Sequence, residues 1–429
     1  MLDIKLIRER PELVRENLER RGDPRAVRIL EEVLETDRKW REVKRKAEQL
    51  RSERNKLSLK ISEMKKRGEN TAPEESRVRE IRDEIKLLEE KAEVLRNHLD
   101  TLLMKLPNLL HDSVPYGKDE NDNVVVRVWG KPPKFDFEPR NHLEIAERLG
   151  LIDRERAGKV AGRGFYYLKG ELAILDMAIQ RFALDFLVRK GFVPVEPPFM
   201  MRTAPYRGVI DFEDFEDMLY KVEGYDLRLI ATSEHPLVSM YTGEVLDRSD
   251  LPIRLAGISP CFRREVGTHG KYTKGLFRMH HFNKVEQVVF CHPDESWDIH
   301  EELQRNSEEL YRKLGLHYRV VNVCTGDIGN VAAKKYDIEV WMADGVYREA
   351  GSNSNCTDYQ ARRLNIRWRE AEGRRPEGFV HTLNNTALAT SRTMVAILEQ
   401  YQREDHVKVP KVLVPYCGFD TIPSSSAFR

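Results

Sequence analysis

Two long stretches near the N-terminus carry apolar residues on alternating three- and four-residue steps, which is the heptad pattern of a coiled coil. The first stretch has Ile29, Val33, Trp40, Val43, Ala47, Leu50, Leu57, Ile61 and Met64, with Thr36 and Arg54 in its two gaps. The second has Val78, Ile81, Ile85, Leu88, Ala92, Leu95, Leu99, Leu102 and Leu106. Between them, Gly68, Asn70 and Pro73 break the pattern, and so short a break makes two helices antiparallel neighbours. The sequence therefore predicts an antiparallel two-helix coiled-coil arm, with helices at about residues 27–67 and 74–106.

A lone pair of helices this long buries little core, so we expect the arm to serve by reaching a partner. Candidate contacts to an RNA backbone on its first helix are Arg38, Lys44, Arg45, Arg51 and Arg54. Because glutamates are interleaved with these residues, the arm taken alone favours a simpler interpretation, a solvated charged face. The formal net charge of the 429-residue chain is only +1, so any nucleic-acid contact has to come from local clusters.

The arm ends where Pro107 forbids further helix, and a linker rich in Pro, Gly and Asp follows, with one short strand, NVVVRVW. We place a domain boundary here, giving a helical domain at residues 1–115 and a second domain at 116–429. In the second domain, an apolar helix over residues 170–191 ends at Gly191. Strands such as LPIRLAGIS, FNKVEQVVFC, HYRVVNVC and YDIEVWM follow, separated by long connections. This alternation predicts an α+β fold with a mixed, mainly antiparallel sheet flanked by helices.

The five cysteines are scattered and form no Cys-x-x-Cys pair, which argues against a disulfide framework and a cysteine-rich zinc site. The first segment, MLDIKLIRERPELV, is charged from its third residue and lacks the apolar core of a signal peptide. No run of about eighteen apolar residues occurs in the chain. We therefore expect a cytoplasmic protein that uses no zinc and does not cross a membrane.

The common nucleotide-binding loops, G-x-x-x-x-G-K-S/T and G-x-G-x-x-G after a strand, are absent from the sequence. A nucleotide would need side chains to hold its phosphates, and the rigid fork of arginine suits that task. Three segments supply suitable groups: 261–287 with Arg263, Arg278 and Phe282, 346–363 with Glu349 and Ser352, and 382–402 with Arg392. We expect Arg263 and Arg278 to lie on adjacent antiparallel strands and to point into one cavity, where Phe282 offers a face to a base. The carboxylate and hydroxyl of the second segment are hard oxygens suited to Mg²⁺, and an arginine at a helix N-terminus, as in the third, anchors phosphate.

Several segments resemble, in this order along the chain, the motifs of class II aminoacyl-tRNA synthetases in their seryl form. GFVPVEPPF is similar to the first motif, with Pro198 as the dimer-interface proline, and ATSEHPL is similar to the Thr-x-Glu element of the seryl enzymes. FRREVG with KGLFRMHHFNKVEQ resembles the second motif, and NNTALATSRTMVAILEQYQ resembles the third, with Arg392 as its arginine. The N-terminal arm resembles the tRNA-binding hairpin of this family, so the resemblance extends over essentially the whole chain. Because of this resemblance, RNA contact becomes the favoured interpretation of the basic residues on the arm, in place of a solvated charged face.

The resemblance implies a class II synthetase catalytic domain that activates L-serine with ATP, releases pyrophosphate and transfers serine from seryl-adenylate to the 3′-terminal adenosine of tRNA(Ser). The implied partners are serine, ATP with Mg²⁺, tRNA(Ser) and a second copy of the chain in a homodimer, while acceptance of tRNA(Sec) stays open. The implied serine contacts are Thr232, Ser233, Glu234, Arg263, Glu286, Asn384 and Thr386. The implied ATP contacts are Arg263, Arg264, Glu265, Arg278, Met279, Phe282, Glu349, Ala350, Gly351, Ser352 and Arg392, with Glu349 and Ser352 holding Mg²⁺. The implied catalytic residues are Arg263, Arg278, Arg392 and Glu286, and His269, Lys271 and Lys274 would join the arm residues in contacting tRNA.

The resemblance also assigns individual roles in serine recognition. Thr232 and Glu234 would receive the substrate ammonium, since an anionic carboxylate is the partner that a buried ammonium requires. Arg263 would bridge the serine carboxylate and the α-phosphate of ATP. Glu286 would accept the serine hydroxyl, which makes the site reject alanine.

Other interpretations remain open at this point. A ligase of the same fold that loads a carrier protein would lack the long hairpin, and a non-catalytic paralogue would have lost motif arginines or the Thr-x-Glu pair. A purely structural coiled-coil protein would leave most of the chain unexplained. The third motif departs from the family pattern, since it carries Asn385, Ala387 and Ser391 where glycines are frequent.

Overall fold

The computed structural model describes residues 1–265 and 275–423, without the side chains of Glu213 and Asp214. Its contacts divide the chain into two compact units, Met1–Leu109 and Leu110–Arg429. The boundary predicted near residue 115 falls shortly after this division. Within the described ranges, no helix is both long and apolar enough to cross a membrane.

The first unit is built from helices, two of them long. They are α1 (Ile4–Glu9), α2 (Pro11–Arg20), α3 (Pro24–Lys66) and α4 (Ala72–Lys105). Helix α3 starts where the Asp23 side chain accepts a hydrogen bond from the Arg25 backbone N–H at 2.9 Å, with Pro24 in the first turn. The buried residues of α3 and α4 include Val33, Ala47, Leu50, Ile81, Ile85 and Leu99. These are heptad positions, so the predicted coiled-coil arm is confirmed.

Ion pairs cross between the two long helices on either side of this apolar seam. They join Lys46 to Glu84, Arg51 to Glu89, Lys60 to Glu74 and Lys65 to Glu75. An exposed pair of this kind contributes at most about 1 kcal/mol, so the apolar seam supplies most of the stability of the arm. The ion pairs nevertheless favour one antiparallel register over its alternatives.

The second unit mixes helices and strands. Its helices are α5 (His142–Arg148), α6 (Arg154–Val160), α7 (Glu171–Arg189), α8 (Thr203–Val209), α9 (Phe212–Phe215), α10 (Glu234–Val238), α11 (Ser296–Lys313), α12 (Tyr359–Leu364), α13 (Thr390–Gln400) and α14 (Val414–Cys417). Its strands are β1 (Val124–Trp129), β2 (Ile152–Asp153), β3 (Tyr167–Leu168), β4 (Val193–Val195), β5 (Met200–Met201), β6 (Arg228–Leu229), β7 (Val245–Asp247), β8 (Ile253–Phe262), β9 (His281–Cys291), β10 (Tyr318–Asn322), β11 (Lys334–Trp341), β12 (Tyr347–Asn355), β13 (Arg367–Arg369), β14 (Gly378–Phe379), β15 (His381–Ala389), β16 (Val407–Lys408) and β17 (Thr421–Ile422).

An eight-stranded sheet organises this unit, in the order β1-β10-β11-β12-β15-β9-β8-β4. Its neighbours are antiparallel except for β4 and β8, which confirms the predicted α+β fold with a mainly antiparallel sheet. Strand β1 forms one edge of this sheet, so the strand expected in the linker belongs to the body of the second unit.

The two faces of the sheet have different surroundings. Helices α7, α11 and α13 share one apolar core with side chains such as Val285 and Val289 of β9. Because side chains alternate along a strand, the even-numbered residues of β9 point to the opposite face. Phe282, Lys284 and Glu286 have that parity, and all three border the cavity described below.

Candidate active site

A cavity of about 460 Å³ lies on the sheet face opposite the helices α7, α11 and α13. Most of the predicted serine and ATP contacts border it: Thr232, Glu234, Arg263, Phe282, Glu286, Glu349, Ala350, Gly351, Ser352, Asn384, Thr386 and Arg392. These residues come from segments far apart in the chain, and β8, β9, β12 and β15 bring them together as neighbours in one sheet.

Lys284 is a cavity residue that the sequence analysis missed. Its ammonium forms an ion pair with Glu286, and both side chains are almost fully buried. Burial raises the pKa of Glu286, while Lys284, Arg263 and a hydrogen bond with Thr386 favour the charged form. The signal was present in the sequence, since Lys284 precedes Glu286 by two residues in a predicted strand and therefore shares its face.

The Thr232–Glu234 segment leads into α10 and supplies a second carboxylate to the cavity. The Glu234 backbone N–H donates to Thr232 Oγ1 at 3.2 Å, and Gln360 Nε2 donates to Glu234 Oε1 at 3.4 Å. Burial, reinforced by the nearby Glu286 carboxylate, raises the pKa of Glu234 to about 7. The cavity thus holds two acidic groups whose burial opposes ionisation, and a cation bound beside Glu234 would favour its charged form.

A close approach to β8 requires glycine at position 257. A β-carbon there would lie 2.6 Å from Ser233 Oγ and 2.6 Å from Leu237 Cδ1. Ser233 is fully buried against this strand and is not among the residues that border the cavity. The predicted direct contact of its side chain with serine therefore has no support in the geometry.

Strands β12 and β15 each contain a β-bulge beside the cavity. In the β11–β12 ladder, Ile338 pairs with Gly351 and Glu339 pairs with Glu349, so Ala350 is an extra residue on β12. Residues three apart on a regular strand face opposite ways, but the extra residue brings Glu349 and Ser352 to one face. Ser352 Oγ consequently lies 3.2 Å from Glu349 Oε1.

Strand β15 has a similar bulge. Thr386 pairs with Glu286 and Leu388 pairs with Val285, which leaves Ala387 as the extra residue. Thr386, the last residue before the bulge, lies directly across from Glu286, close to the point where β15 leads into α13. Ala387 stands at one of the positions where the family motif often has glycine, and its side chain is fully buried in the core.

Arg392 lies in the first turn of α13 and reaches back to β12. Its Nη1 is 3.0 Å from both the carbonyl oxygen and the Oε1 of Glu349. Partial desolvation opposes ionisation of Glu349, but the positive charges of Arg392 and Lys335 outweigh it and lower the pKa of Glu349. The Arg263 guanidinium lies 5.3 Å from the centre of the Phe282 ring, on the same cavity wall.

Arg278 does not enter this cavity, so the expectation that Arg263 and Arg278 share one was wrong. Strand β8 ends at Phe262 and β9 begins at His281, so both arginines lie outside the strands. Arg278 borders a neighbouring cavity of about 600 Å³. That cavity is also lined by Glu349 and Arg392, which therefore stand between the two cavities.

Other predicted ATP contacts are placed around the first cavity rather than on its lining. The Arg264 backbone N–H donates to the Met218 carbonyl at 2.9 Å, the Glu265 carboxylate lies 3.4 Å from Arg278 Nη1, and Met279 is buried. The predicted tRNA contacts His269, Lys271 and Lys274 lie outside the described residues.

Two chain segments that no motif identified meet at the border of the cavity. Asn330 Nδ2 donates to Asp211 Oδ2 at 2.8 Å, although 119 positions separate the two residues. His235 and Cys356 also border the cavity. Burial lowers the pKa of His235 well below its usual range, so it is a neutral hydrogen-bond partner of Tyr206, at 2.9 Å. Because these contacts join distant segments, sequence spacing gave no signal for them.

On the arm of the first unit, the predicted tRNA contacts differ in their surroundings. Arg38, Lys44 and Arg45 are exposed and border a shallow cleft beside Trp40, whose ring centre is 5.0 Å from Lys44 Nζ. Arg51 is exposed but engaged by Glu89, and Arg54 Nη2 donates to Asn55 Oδ1 at 3.2 Å.

Comparison with known proteins gives a consistent result over both units. Residues 1–110 match the seryl-tRNA synthetase N-terminal domain, and residues 219–401 match the tRNA synthetase class II core domain (G, H, P, S and T). The serine--tRNA ligase of Methanocella arvoryzae is 53% identical over 97% of this chain and 98% of its own length. The seryl-tRNA synthetase of Pyrococcus horikoshii, whose structure was solved in complex with ATP, is 51% identical to this chain. The two structures superpose with a TM-score of 0.95, and the match covers 98% of this chain and 99% of the other. The cytoplasmic enzyme of Naegleria fowleri, solved with AMP, is 36% identical with a TM-score of 0.91 over 99% of both chains. The chain therefore belongs to the seryl-tRNA synthetase family of class II aminoacyl-tRNA synthetases.

Proposed function

We propose that this protein is an enzyme that activates L-serine with ATP and transfers the seryl group to the 3′-terminal adenosine of tRNA(Ser). The observation that carries the proposal is one cavity in which Glu234, Glu286 and Arg263 converge. Each of the three residues suits one group of serine. Glu234 would bind the ammonium, Glu286 the hydroxyl and Arg263 the carboxylate.

Glu286 accounts for the choice of serine over alanine. Lys284 and Thr386 already interact with the Glu286 carboxylate, and the additional acceptor position that the substrate hydroxyl would fill stays without a donor when alanine binds. Sites of this kind reject the analogue that lacks the hydroxyl by roughly 10⁴–10⁵. Thr386 and Lys284 support the role, since they hold the Glu286 carboxylate from two sides. The serine ammonium would take its place between Glu234 and Thr232, where a positive charge relieves the unfavourable burial of Glu234.

The nucleotide would extend from the first cavity into the second. Phe282 offers its ring to adenine, Arg263 faces the α-phosphate, and Arg392 with Arg278 would hold the terminal phosphates of a bent triphosphate. This arrangement explains why Arg278 lies in the neighbouring cavity, because Arg392 and Glu349 border both.

Glu349 and Ser352 fit a Mg²⁺ ion that accompanies ATP. Oxygen ligands at adjacent corners of a Mg²⁺ octahedron, each 2.0–2.1 Å from the ion, lie about 2.9 Å apart. The 3.2 Å between Ser352 Oγ and Glu349 Oε1 is close to that spacing. When bound, the ion would neutralise charge on the phosphate oxygens.

The chemistry then needs positioning and charge stabilisation rather than a covalent enzyme intermediate. The serine carboxylate attacks the α-phosphorus, the bond to the β-phosphate oxygen breaks, and pyrophosphate leaves. Arg263 and Arg392 stabilise the negative charge that develops on the phosphoryl oxygens. A ribose hydroxyl of the tRNA 3′ adenosine next attacks the carbonyl of the seryl-adenylate, and AMP leaves. Alignment of these groups supplies much of the rate.

We assign tRNA contact to the arm and dimerisation to the surface around the first motif. The exposed Arg38, Lys44 and Arg45 support the former, since phosphate contacts require accessible cations. For the latter, Met177 and Val188 of α7 are exposed although apolar, and they lie three helical turns apart on one face. Pro198 is exposed in the loop that follows β4. An apolar helix face of this kind suits a second copy of the chain.

Serine-dependent exchange of pyrophosphate into ATP tests the first half-reaction. We expect exchange with serine and at least about 10³-fold less with alanine, threonine or cysteine. Exchange with serine but no charging of tRNA would favour a ligase that loads a carrier protein. No exchange with any amino acid would indicate a paralogue that binds without catalysis.

A further inference from the structure

Asp337 is a buried carboxylate next to the candidate Mg²⁺ ligands. It lies on β11 directly across from Ser352 on β12. The residue is 4% exposed, and its Oδ1 has no hydrogen-bond partner among the described residues. Its Oδ2 lies 3.7 Å from the Nζ of Lys335, which precedes it by two residues on the same face of β11. A buried carboxylate oxygen without a donor is costly, so a donor that reaches it in another state of the site would stabilise that state.

The Ser352 hydroxyl is such a donor. In the structure as described, its oxygen is 3.2 Å from Glu349 Oε1, and its single proton points to that carboxylate. If both oxygens bind one cation, their lone pairs face the ion, and the hydroxyl proton has to point elsewhere. The cross-strand position of Asp337 places its unpartnered Oδ1 on the same side of the sheet and offers an acceptor there.

We propose that Asp337 is a positioning residue for Mg²⁺: it accepts the hydroxyl proton of Ser352 when Glu349 and Ser352 bind the ion. The Lys335 ammonium, 3.7 Å from the other Asp337 oxygen, attracts the carboxylate electrostatically and leaves Oδ1 available to Ser352. Without this acceptor, the Ser352 proton stays directed at Glu349 and opposes the cation. The inference rests on the proposed function, because it takes Glu349 and Ser352 as the Mg²⁺ ligands.

The test measures metal binding rather than activity. Mn²⁺ is titrated with the protein and an ATP analogue that has a methylene between the α- and β-phosphorus, and free Mn²⁺ is followed by electron paramagnetic resonance. Asp337→Asn is the main variant. Lys335 can only donate, so the amide oxygen of asparagine would face Lys335 and its NH₂ group would face Ser352, which then has no acceptor. We expect Mn²⁺ affinity to fall by about 10-fold, the lower end of what the loss of a ligand-orienting group causes.

Ser352→Ala provides the decisive comparison. If Asp337 acts through the Ser352 hydroxyl, Asp337→Asn should weaken Mn²⁺ binding in the wild-type background and have no further effect in the Ser352→Ala background. The matched control is Glu339→Gln, which removes another carboxylate of β11, one that is paired with Arg319. That change should alter Mn²⁺ affinity equally in both backgrounds, since any effect would be purely electrostatic. Asp337→Ser is carried alongside as a smaller second variant, in case the asparagine variant does not fold.

The outcomes separate the two claims. If Ser352→Ala leaves Mn²⁺ affinity unchanged, the proposed metal site is wrong and the role of Asp337 falls with it. If Ser352→Ala weakens binding but the Asp337 variants do not, or if their effects simply add to that of Ser352→Ala, the metal site stands and the positioning role is overturned. An Asp337 variant that lowers thermal stability with unchanged Mn²⁺ affinity also overturns the positioning role.

Discussion

Replacing Glu234 with glutamine is expected to stabilise the ligand-free protein while impairing serine binding. Burial and the neighbouring Glu286 carboxylate raise the pKa of Glu234 from its usual 4.5 to about 7. One pH unit corresponds to about 1.4 kcal/mol, so keeping Glu234 ionised costs the folded state roughly 3 kcal/mol above pH 7. Glutamine has nearly the same shape and carries no charge, and it would remove this cost.

The sign of the pH dependence follows from linkage. The folded protein keeps the Glu234 proton up to about pH 7, whereas the unfolded chain releases it near pH 4.5. The contribution of this group to the free energy of unfolding therefore decreases as pH rises from about 4.5 to about 7, and it stays low above that. The glutamine variant lacks the decrease. Its stability advantage should be small near pH 5 and approach roughly 3 kcal/mol near pH 8.

Urea unfolding of the ligand-free proteins, followed by circular dichroism at both pH values, measures this difference. Exposed Glu223 provides the matched control, and Glu223→Gln should leave the pH dependence as in the wild type. In pyrophosphate exchange, Glu234→Gln should raise the KM for serine by roughly 10–100-fold, since a hydrogen bond to a charged group is worth about 1.5–3 kcal/mol. A variant that is less stable than wild type near pH 8, or whose free energy of unfolding differs from that of wild type by the same amount at both pH values, would contradict a raised pKa of Glu234.

Four further variants test the other parts of the site and the arm. Glu286→Ala should lower the preference for serine over alanine in exchange by at least about 100-fold, because no buried carboxylate then requires a hydroxyl donor. Lys284→Met should reduce kcat/KM for serine by roughly 10-fold or more, since Glu286 loses its counter-ion, and the loss should be smaller in a Glu286→Gln background. Arg392→Ala should slow exchange by about 10²–10³-fold with little change in the KM for serine. Joint replacement of Lys44 and Arg45 by glutamate should weaken tRNA binding and flatten its salt dependence, as measured by filter binding at several salt concentrations, while exchange is unchanged.

The arm and the sheet follow from periodicity, which local sequence carries directly. Ile81 and Ile85 are buried as heptad positions of α4, because the 3.6-residue repeat decides which side of a helix meets its partner. The strands β8 and β9 were likewise evident from runs of apolar residues bounded by breaks. Motif resemblance then supplied most of the residues that border the first cavity.

What the sequence did not supply depends on irregular geometry and on contacts between distant segments. Regular alternation would put Glu349 and Ser352 on opposite faces of β12, and only the extra residue Ala350 brings them together. Asp337 lies beside Ser352 because β11 and β12 pair in this register, and the register of two paired strands cannot be read from the sequence of either strand alone. Arg278 was assigned to the wrong cavity because the strands end before it, and such ends are poorly defined by local pattern.

If this protein both forms seryl-adenylate and transfers the serine to tRNA(Ser), it should charge tRNA(Ser) without any other protein. The purified protein is incubated with ATP, Mg²⁺, labelled serine and a transcript of tRNA(Ser), and acid-precipitable label is measured over time. We expect label on tRNA(Ser) that is sensitive to mild base, as is typical of an aminoacyl ester, and none on a transcript lacking the 3′-terminal adenosine. Absence of charging by protein that performs serine-dependent pyrophosphate exchange would show that this protein does not transfer serine to tRNA(Ser).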